Sequence, residues 1–327
     1  ELARSYFERA LETITGRNPT LEALTLSRLI GNLMTIGDHE TALTYVERNQ
    51  KLLADSPDRE TRIWQKLVLA EIYSDRRSAL RDLSLAEKLC TEALGETELI
   101  EDKLQRRSLK NELADLYVEI GRYDKAIPIL ELIVSEQKEN TDKFRLANAL
   151  LTLSEAYRKA GRLRDARSAI DRTRPFVLEQ TDFFLAGRFH YHTASLLKAE
   201  GLYEDAINEY EKVLSLLERI RANIRGQSKV GIAGAYEFIY EEAIGAYYAL
   251  YQKASEPSKI LLSTKALAVS ESNRARQYRE SLSTMFLREG AGGVQVDLLR
   301  RERSLITRKQ ALLNRLTKPQ SEGEKKL

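Results

Sequence analysis

Hydrophobic positions in the first two thirds of the chain recur with the spacing of amphipathic helices. The segment 109–133 shows the pattern: one apolar stripe runs up to Gly121 and a second begins at Ala126. Glycine readily adopts the left-handed conformation that ends a helix, so the segment predicts two helices joined by a short turn at Gly121. The two stripes consist of Leu113, Leu116, Tyr117 and Ile120, and of Ala126, Leu130 and Ile133.

This helix–turn–helix pattern repeats about every forty residues. The alanines Ala86, Ala126, Ala166 and Ala206 are each 40 residues apart, whereas the step from Ala42 to Ala86 is 44. The longer step indicates a four-residue insertion in the turn that follows Tyr73. A small side chain at this position allows two helices to approach closely, so the period predicts a stack of helix pairs. The repeat is marked by Gly37, Ala42, Ala86, Tyr117, Gly121, Ala126, Tyr157, Gly161, Ala166, Gly201 and Ala206.

The predicted fold is all-α: a right-handed α-solenoid of helix-turn-helix repeats, closed by longer C-terminal helices. We expect a repeat array over 1–218, truncated at its N-terminal end because Ala3 lies 39 residues before Ala42. The register breaks after Ala206, since the next suitable alanine is Ala266. We therefore expect longer helices of the same solenoid over 219–317, interrupted by a loop near 289–293, and a polar tail over 318–327.

The repeat resembles the tetratricopeptide repeat family. The resemblance is carried by the aromatic, glycine and alanine positions described above, with Leu197 replacing the tyrosine in the third matching unit. The usual period of that family is about 34 residues, so these units resemble its longer-helix members, such as those of kinesin light chains and bacterial sensor arms. The resemblance implies a scaffold that binds protein partners.

In that family, residues of the first helix of each pair line a concave groove that holds the partner. The resemblance therefore implies a polar groove that could hydrogen-bond an extended peptide, with arginine and lysine meeting carboxylates. Carried over by register, the groove residues are Asn111, Asp115, Asn148, Glu155, Arg158, Arg188, Tyr191, Ser195 and Lys198.

Composition and charge narrow the class of protein. Of the 327 residues, 43% are hydrophobic and 31% are charged, which is typical of a globular protein. No apolar run approaches the roughly 20 residues that cross a bilayer, so we expect no membrane partner. Residues 219–327 carry 20 basic and 11 acidic side chains, against 32 and 38 in residues 1–218. A basic end can attract nucleic acid, but it lacks interleaved aromatic residues and so argues against that partner.

The residues that could carry chemistry have simpler structural interpretations. Cys90 lies on the apolar stripe of its helix, where a small core residue is expected. His190 and His192 are two residues apart on a helix and point in different directions, so they cannot chelate one metal; we expect one packed and one facing the groove. Trp64 is predicted to lie in the core. We therefore expect no enzyme activity, no cofactor and no metal, and the single cysteine suits a reducing, cytoplasmic location.

A second resemblance concerns residues 265–282, which include the Ser-Asn-Arg-Ala-Arg stretch ending at Arg276. They are similar to the last repeat of bacterial proteins in which such arrays precede a caspase-like CHAT domain. The resemblance implies that this chain is the sensor and scaffold for a downstream protease domain, whose catalytic residues would lie beyond Leu327. The alternative is a superhelical sensor arm of a signal-transduction ATPase or transcription regulator.

Overall fold

The computed structural model describes residues 2–17, 19–36, 39–53, 59–75, 78, 80–136, 143–179, 183–223 and 236–289. Over these ranges the chain forms helices and turns and contains no strand. The all-α prediction is therefore confirmed. The predictions made for Gly37, for the loop beyond Glu289, for the helix over 294–317 and for the tail over 318–327 lie outside the described residues.

Thirteen helices lie within the described ranges. The helix α11 has 21 residues and α13 has 34, whereas α1 to α10 have 13 to 18 each. The helices are α1 Leu2–Ile14, α2 Pro19–Ile36, α3 His39–Leu53, α4 Arg59–Ser74, α5 Leu83–Thr97, α6 Lys103–Glu119, α7 Tyr123–Ser135, α8 Lys143–Lys159, α9 Leu163–Glu179, α10 Phe183–Ala199, α11 Tyr203–Asn223, α12 Glu237–Lys253 and α13 Glu256–Glu289.

The helices pack as consecutive pairs. The pairs are α2 with α3, α4 with α5, α6 with α7, α8 with α9, and α10 with α11, and α1 packs against α2. The first helices of successive pairs also contact one another, so α2, α4, α6, α8 and α10 form one continuous layer. This arrangement confirms the predicted stack of helix pairs.

Three turns between paired helices share one geometry. Gly121, Gly161 and Gly201 have φ values of 82°, 78° and 80°, a left-handed conformation that costs glycine little. At the first turn, the backbone N–H of Arg122 donates to the carbonyl oxygen of Tyr117 at 2.7 Å. This six-residue hydrogen bond satisfies a carbonyl at the end of the helix. The same bond joins Arg162 to Tyr157 and Leu202 to Leu197, at 2.8 and 2.9 Å.

The repeated alanines lie in the interior of the helix stack. Their side chains are fully buried, at 0% exposure. At the α8–α9 crossing, the Ser154 hydroxyl donates to the carbonyl oxygen of Ala166 at 3.0 Å, so the two backbones lie close together. The repeat tyrosines Tyr117 and Tyr157 are buried as well. The five buried alanines are Ala42, Ala86, Ala126, Ala166 and Ala206.

The connection between α4 and α5 differs from the three glycine turns. The backbone N–H of Asp82 donates to the carbonyl oxygen of Tyr73 at 2.9 Å. The Asp82 carboxylate then accepts hydrogen bonds from the backbone N–H groups of Ser84 and Leu85 and caps α5. The extra residues indicated by the 44-residue step therefore lie in this connection.

Two single residues test the predicted core. Cys90 is fully buried, and burial raises the pKa of its thiol to about 12, as expected of a small core residue. Trp64 is 39% exposed on α4, so the prediction that it lies in the core is wrong. Its neighbours Ile63 and Leu67 fill the buried positions of that helix instead.

In the described part of the chain, no helix is long and apolar enough to span a membrane.

Internal contacts divide the chain into two compact units, Glu1–Ala246 and Tyr247–Leu327. The first unit contains the five helix pairs. The second contains α13, on which Ile260 and Leu267 are exposed. The domain boundary expected near residue 218 stays a prediction.

Candidate functional site

A cavity of about 420 Å³ opens among the first helices α6, α8 and α10. Asn111, Asp115, Asn148 and Arg188, four of the nine groove residues implied by the repeat register, line it. They come from three successive helix pairs, which places the cavity on the continuous layer of first helices. The remaining lining residues are Arg107, Ser108, Glu112, Ile133, Phe144, Arg145, Phe184 and Leu185.

A chain of hydrogen bonds joins the three helices along the cavity. The Arg188 guanidinium donates to the Asn148 side-chain oxygen at 2.7 Å and to the Thr152 hydroxyl at 3.2 Å. The Thr152 hydroxyl donates in turn to the Asp115 carboxylate at 2.7 Å, and the Asn111 amide contacts the same carboxylate at 3.4 Å. These bonds fix the positions of the polar side chains that line the cavity.

The cavity wall carries charges of both signs. Burial raises the pKa of Asp115 above its usual range, although Arg188 and the Thr152 hydroxyl oppose this effect. Desolvation, together with the nearby carboxylates of Asp115 and Glu71, raises the pKa of Glu112 to about 7. The cavity wall thus combines the carboxyl groups of Glu112 and Asp115 with the guanidinium groups of Arg107, Arg145 and Arg188.

Glu155 and Arg158 form an ion pair with each other. Two guanidinium nitrogens of Arg158 donate to the Glu155 carboxylate at 3.0 and 2.7 Å. His192 is buried, and its Nδ1 lies 3.6 Å from the same carboxylate. Burial alone would raise the pKa of Glu155, but His192 and Arg158 hold it well below its usual range, whereas burial lowers the pKa of His192. The charge of Arg158 is therefore already compensated within the array.

The last three groove candidates contact α11 and the start of α12. Tyr191 packs at a tilt against Tyr210, with ring centroids 6.4 Å apart. Ser195 is buried, and its hydroxyl lies 3.2 Å from that of Tyr210. The Lys198 ammonium donates to the Glu242 carboxylate at 2.7 Å. These three side chains thus form a network of their own, which the repeat register alone does not distinguish from the cavity residues.

Sequence reasoning missed Thr152, whose hydroxyl connects Arg188 to Asp115. Thr152 is a buried residue among apolar neighbours, so the sequence pattern assigns it to the core.

The two histidines lie in different surroundings: His190 contacts Glu209 on α11 at 2.6 Å, and His192 lies beside Glu155. Among the described residues, no three histidine, cysteine, aspartate or glutamate side chains are placed to hold a metal ion.

Comparison with known proteins gives a family match over part of the chain. Residues 108–140 match the family model described as the tetratricopeptide repeat. This segment includes most of α6, the Gly121 turn and all of α7. A search of curated proteins finds no match.

Several solved structures are similar to the chain. BtubC (BKLC) from P. vanneervenii has 16% sequence identity and a TM-score of 0.49, over 76% of this chain and 91% of that one. One structure of the Podosopora anserina kinesin light chain TPR-like repeats, a single-substitution variant, has 18% identity and a TM-score of 0.47, over 69% and 99%. A second structure of those repeats has 17% identity and a TM-score of 0.46, over 68% and 98%. The family match over 108–140 is to a repeat that generally mediates protein–protein interactions.

Proposed function

We propose that this protein is a scaffold that holds an extended segment of a partner protein across α6, α8 and α10. The observation that carries the proposal is the hydrogen-bond chain from Arg188 through Thr152 to Asp115. It fixes polar groups from three successive helix pairs around one cavity. Stacked helix pairs present such an extended surface to partners, and fixed side chains lose less entropy on binding.

The chemistry of the cavity suits a peptide. The amides of Asn111 and Asn148 can pair with a peptide backbone, and Arg188 can donate to a partner carboxylate. Phe144 and Phe184, both exposed at the rim, offer apolar contact area. We take the partner to be a protein rather than a nucleic acid, because the carboxyl groups of Glu112 and Asp115 in the cavity wall oppose a phosphate backbone.

A more specific part of the proposal concerns regulation. In it, partner binding regulates an adjacent CHAT-type, caspase-like domain, and the chain itself is not an enzyme. The support is the resemblance of residues 265–282 to the repeat that precedes such domains. The alternative is a sensor arm of a signal-transduction ATPase or transcription regulator. A single cysteine that is buried, such as Cys90, suits a reducing compartment, and this favours a role in the cytoplasm.

The test is a pull-down from the source cell with wild-type protein and with the double variant Asn148→Ala/Arg188→Ala. We expect the variant to lose the partners that the wild type recovers. A matched control, Arg172→Ala/Asn208→Ala, removes the same residue types from exposed positions on the second helices α9 and α11. Arg158 is left intact, because its loss would remove the nearest cation from the Glu155 carboxylate. Equal recovery by all three folded proteins would contradict the proposal.

A further inference from the structure

The exposed side chain of Trp64 lies at the same repeat position as three cavity residues. Each first helix carries a reference residue near its end: Tyr73, Tyr117, Tyr157 and Leu197. Nine residues before these stand Trp64, Ser108, Asn148 and Arg188 in turn. Ser108, Asn148 and Arg188 all line the cavity. Since α4 packs against α6, the row of cavity residues continues onto α4 at Trp64.

An acidic side chain lies on the same helix face as Trp64. Trp64 and Glu71 are seven residues apart on α4, which places them on one face of the helix. Glu71 in turn acts electrostatically on Glu112, which lines the cavity. The cations of α4 make other contacts: Arg62 and Lys66 pair with Glu96 on α5, and the Arg59 guanidinium donates to the carbonyl oxygen of Leu99.

The other end of the row is basic. Arg145 and Arg188 line the cavity on α8 and α10, and Arg107 lines it on α6 together with Glu112. A segment that crosses the row therefore passes from the indole ring of Trp64, on the helix that carries Glu71, to the guanidinium groups of Arg145 and Arg188. A basic side chain over an indole ring is attracted by its π face, and a carboxylate suits a guanidinium group.

The length of the row sets the length of the segment. The first helices contact one another in the order α4, α6, α8 and α10. Three steps of roughly 8–10 Å span about 24–30 Å, which an extended chain covers in about seven to nine residues.

We propose that Trp64 anchors the partner, which presents an extended, mixed-charge segment with a lysine or arginine over the Trp64 ring and an aspartate or glutamate at Arg188. This rests on the proposed function and names the chemistry of its partner. Exposed tryptophan is typical of the residues that dominate binding at protein interfaces. The neighbouring cavity residues then orient the segment.

Trp64 also reports on its own occupancy, because it is the single tryptophan in the chain. The probe is a synthetic nine-residue peptide with one arginine near one end and one aspartate near the other, in a neutral background. Two control peptides lack the arginine or the aspartate, and a third peptide reverses the order of the two. We expect the mixed-charge peptide, in one of its two orders, to change the fluorescence emission of Trp64 on binding. We expect the peptide without arginine to bind roughly tenfold more weakly, since an interaction of hot-spot size is lost.

Variants of the full chain separate this inference from the proposed function. With the mixed-charge peptide labelled for anisotropy, Trp64→Ala should weaken binding by roughly tenfold or more and Trp64→Phe by less. Tyr6→Ala, which removes an exposed aromatic side chain from α1, should leave affinity unchanged.

The outcomes are distinct. If Trp64→Ala binds as tightly as wild type while Asn148→Ala/Arg188→Ala does not, the Trp64 anchor is refuted and the cavity scaffold stands. Equal affinity for the peptide without arginine refutes the basic-residue assignment. If none of these peptides binds the wild-type protein, the mixed-charge partner is refuted, and the pull-down then decides separately on the scaffold.

Discussion

Replacing Ala166 with leucine tests the close helix crossing on which each repeat unit depends. Ala166 is fully buried between α8 and α9, and its carbonyl oxygen accepts the Ser154 hydroxyl at 3.0 Å. Three additional carbon atoms cannot fit without moving a helix, which costs about 1–3 kcal/mol of unfolding free energy. A displacement that breaks the Ser154 bond would leave a buried hydroxyl unsatisfied and add about 1–3 kcal/mol.

The assay combines thermal unfolding with amide hydrogen exchange. Each unit contacts only its neighbours, so exchange should accelerate in α8 and α9 and stay unchanged in α2 and α3. Ala199→Leu is the matched control, because it makes the same change at an exposed position at the end of α10. It should unfold like the wild type.

One result would refute this reasoning directly. If Ala166→Leu unfolds at the same temperature as Ala199→Leu, with equal protection of α8 and α9, the alanine position does not limit the approach of the helices. Loss of protection throughout α2 to α11 would instead contradict the independence of distant units.

Three further predictions address titration, reactivity and turn geometry. The raised pKa of Glu112 means that its protonated form is favoured in the folded state. Its contribution to stability is therefore present below the pKa of the unfolded state and is lost as pH rises through about 7. Glu112→Gln should raise the unfolding temperature at about pH 8 and have little effect at about pH 4. The buried Cys90 thiol should react with an alkylating reagent only upon unfolding. Mass spectrometry can compare the alkylation rate of the native protein with that of the denaturant-unfolded protein. Rapid reaction in the native state would contradict the burial of Cys90. Gly161→Ala should destabilise the protein by about 1 kcal/mol because φ is positive there. Gly95→Ala, at an exposed position in the last turn of α5, should stabilise it by about 0.5 kcal/mol. Denaturant unfolding that shows the same sign for both changes would be inconsistent with the turn.

The fold could be predicted because its determinants are local and repeated. A glycine at position 121, 161 or 201 ends a helix through its own backbone conformation, and an alanine five residues later allows the next helix to pack. Both signals are visible in the sequence without knowledge of distant contacts. The position of the connection after Tyr73 followed from counting alone, as the 44-residue step requires extra residues there.

The candidate site was harder to predict from the sequence because its interactions connect different repeat units. Register alone gives the helix face of Asn148 and Arg188, but it does not show that Thr152 joins them to Asp115. A buried threonine and a buried valine give the same apolar pattern. The approach of His192 to Glu155 was equally hidden, since it depends on the packing of α10 against α8.

Trp64 is different, because a signal for its position was present in the sequence. Counting nine residues back from Tyr73 places it in the row that contains Asn148 and Arg188. The four-residue insertion hides this correspondence when a constant step of forty residues is applied. Hydrophobicity alone then assigns the large indole ring to the core, whereas Ile63 occupies the buried position beside it.

The shared turn geometry also allows one helix pair to be removed from the array or added to it. Gly121-Arg122 and Gly161-Arg162 are the same dipeptide in the same backbone conformation, forty residues apart. Deleting residues 122–161 joins Gly121 to Arg162, so α6 is followed by α9 through an unchanged turn. Duplicating the same segment adds one helix pair in the same way. Either change alters the number of helix pairs and, with it, the length of the surface offered to a partner.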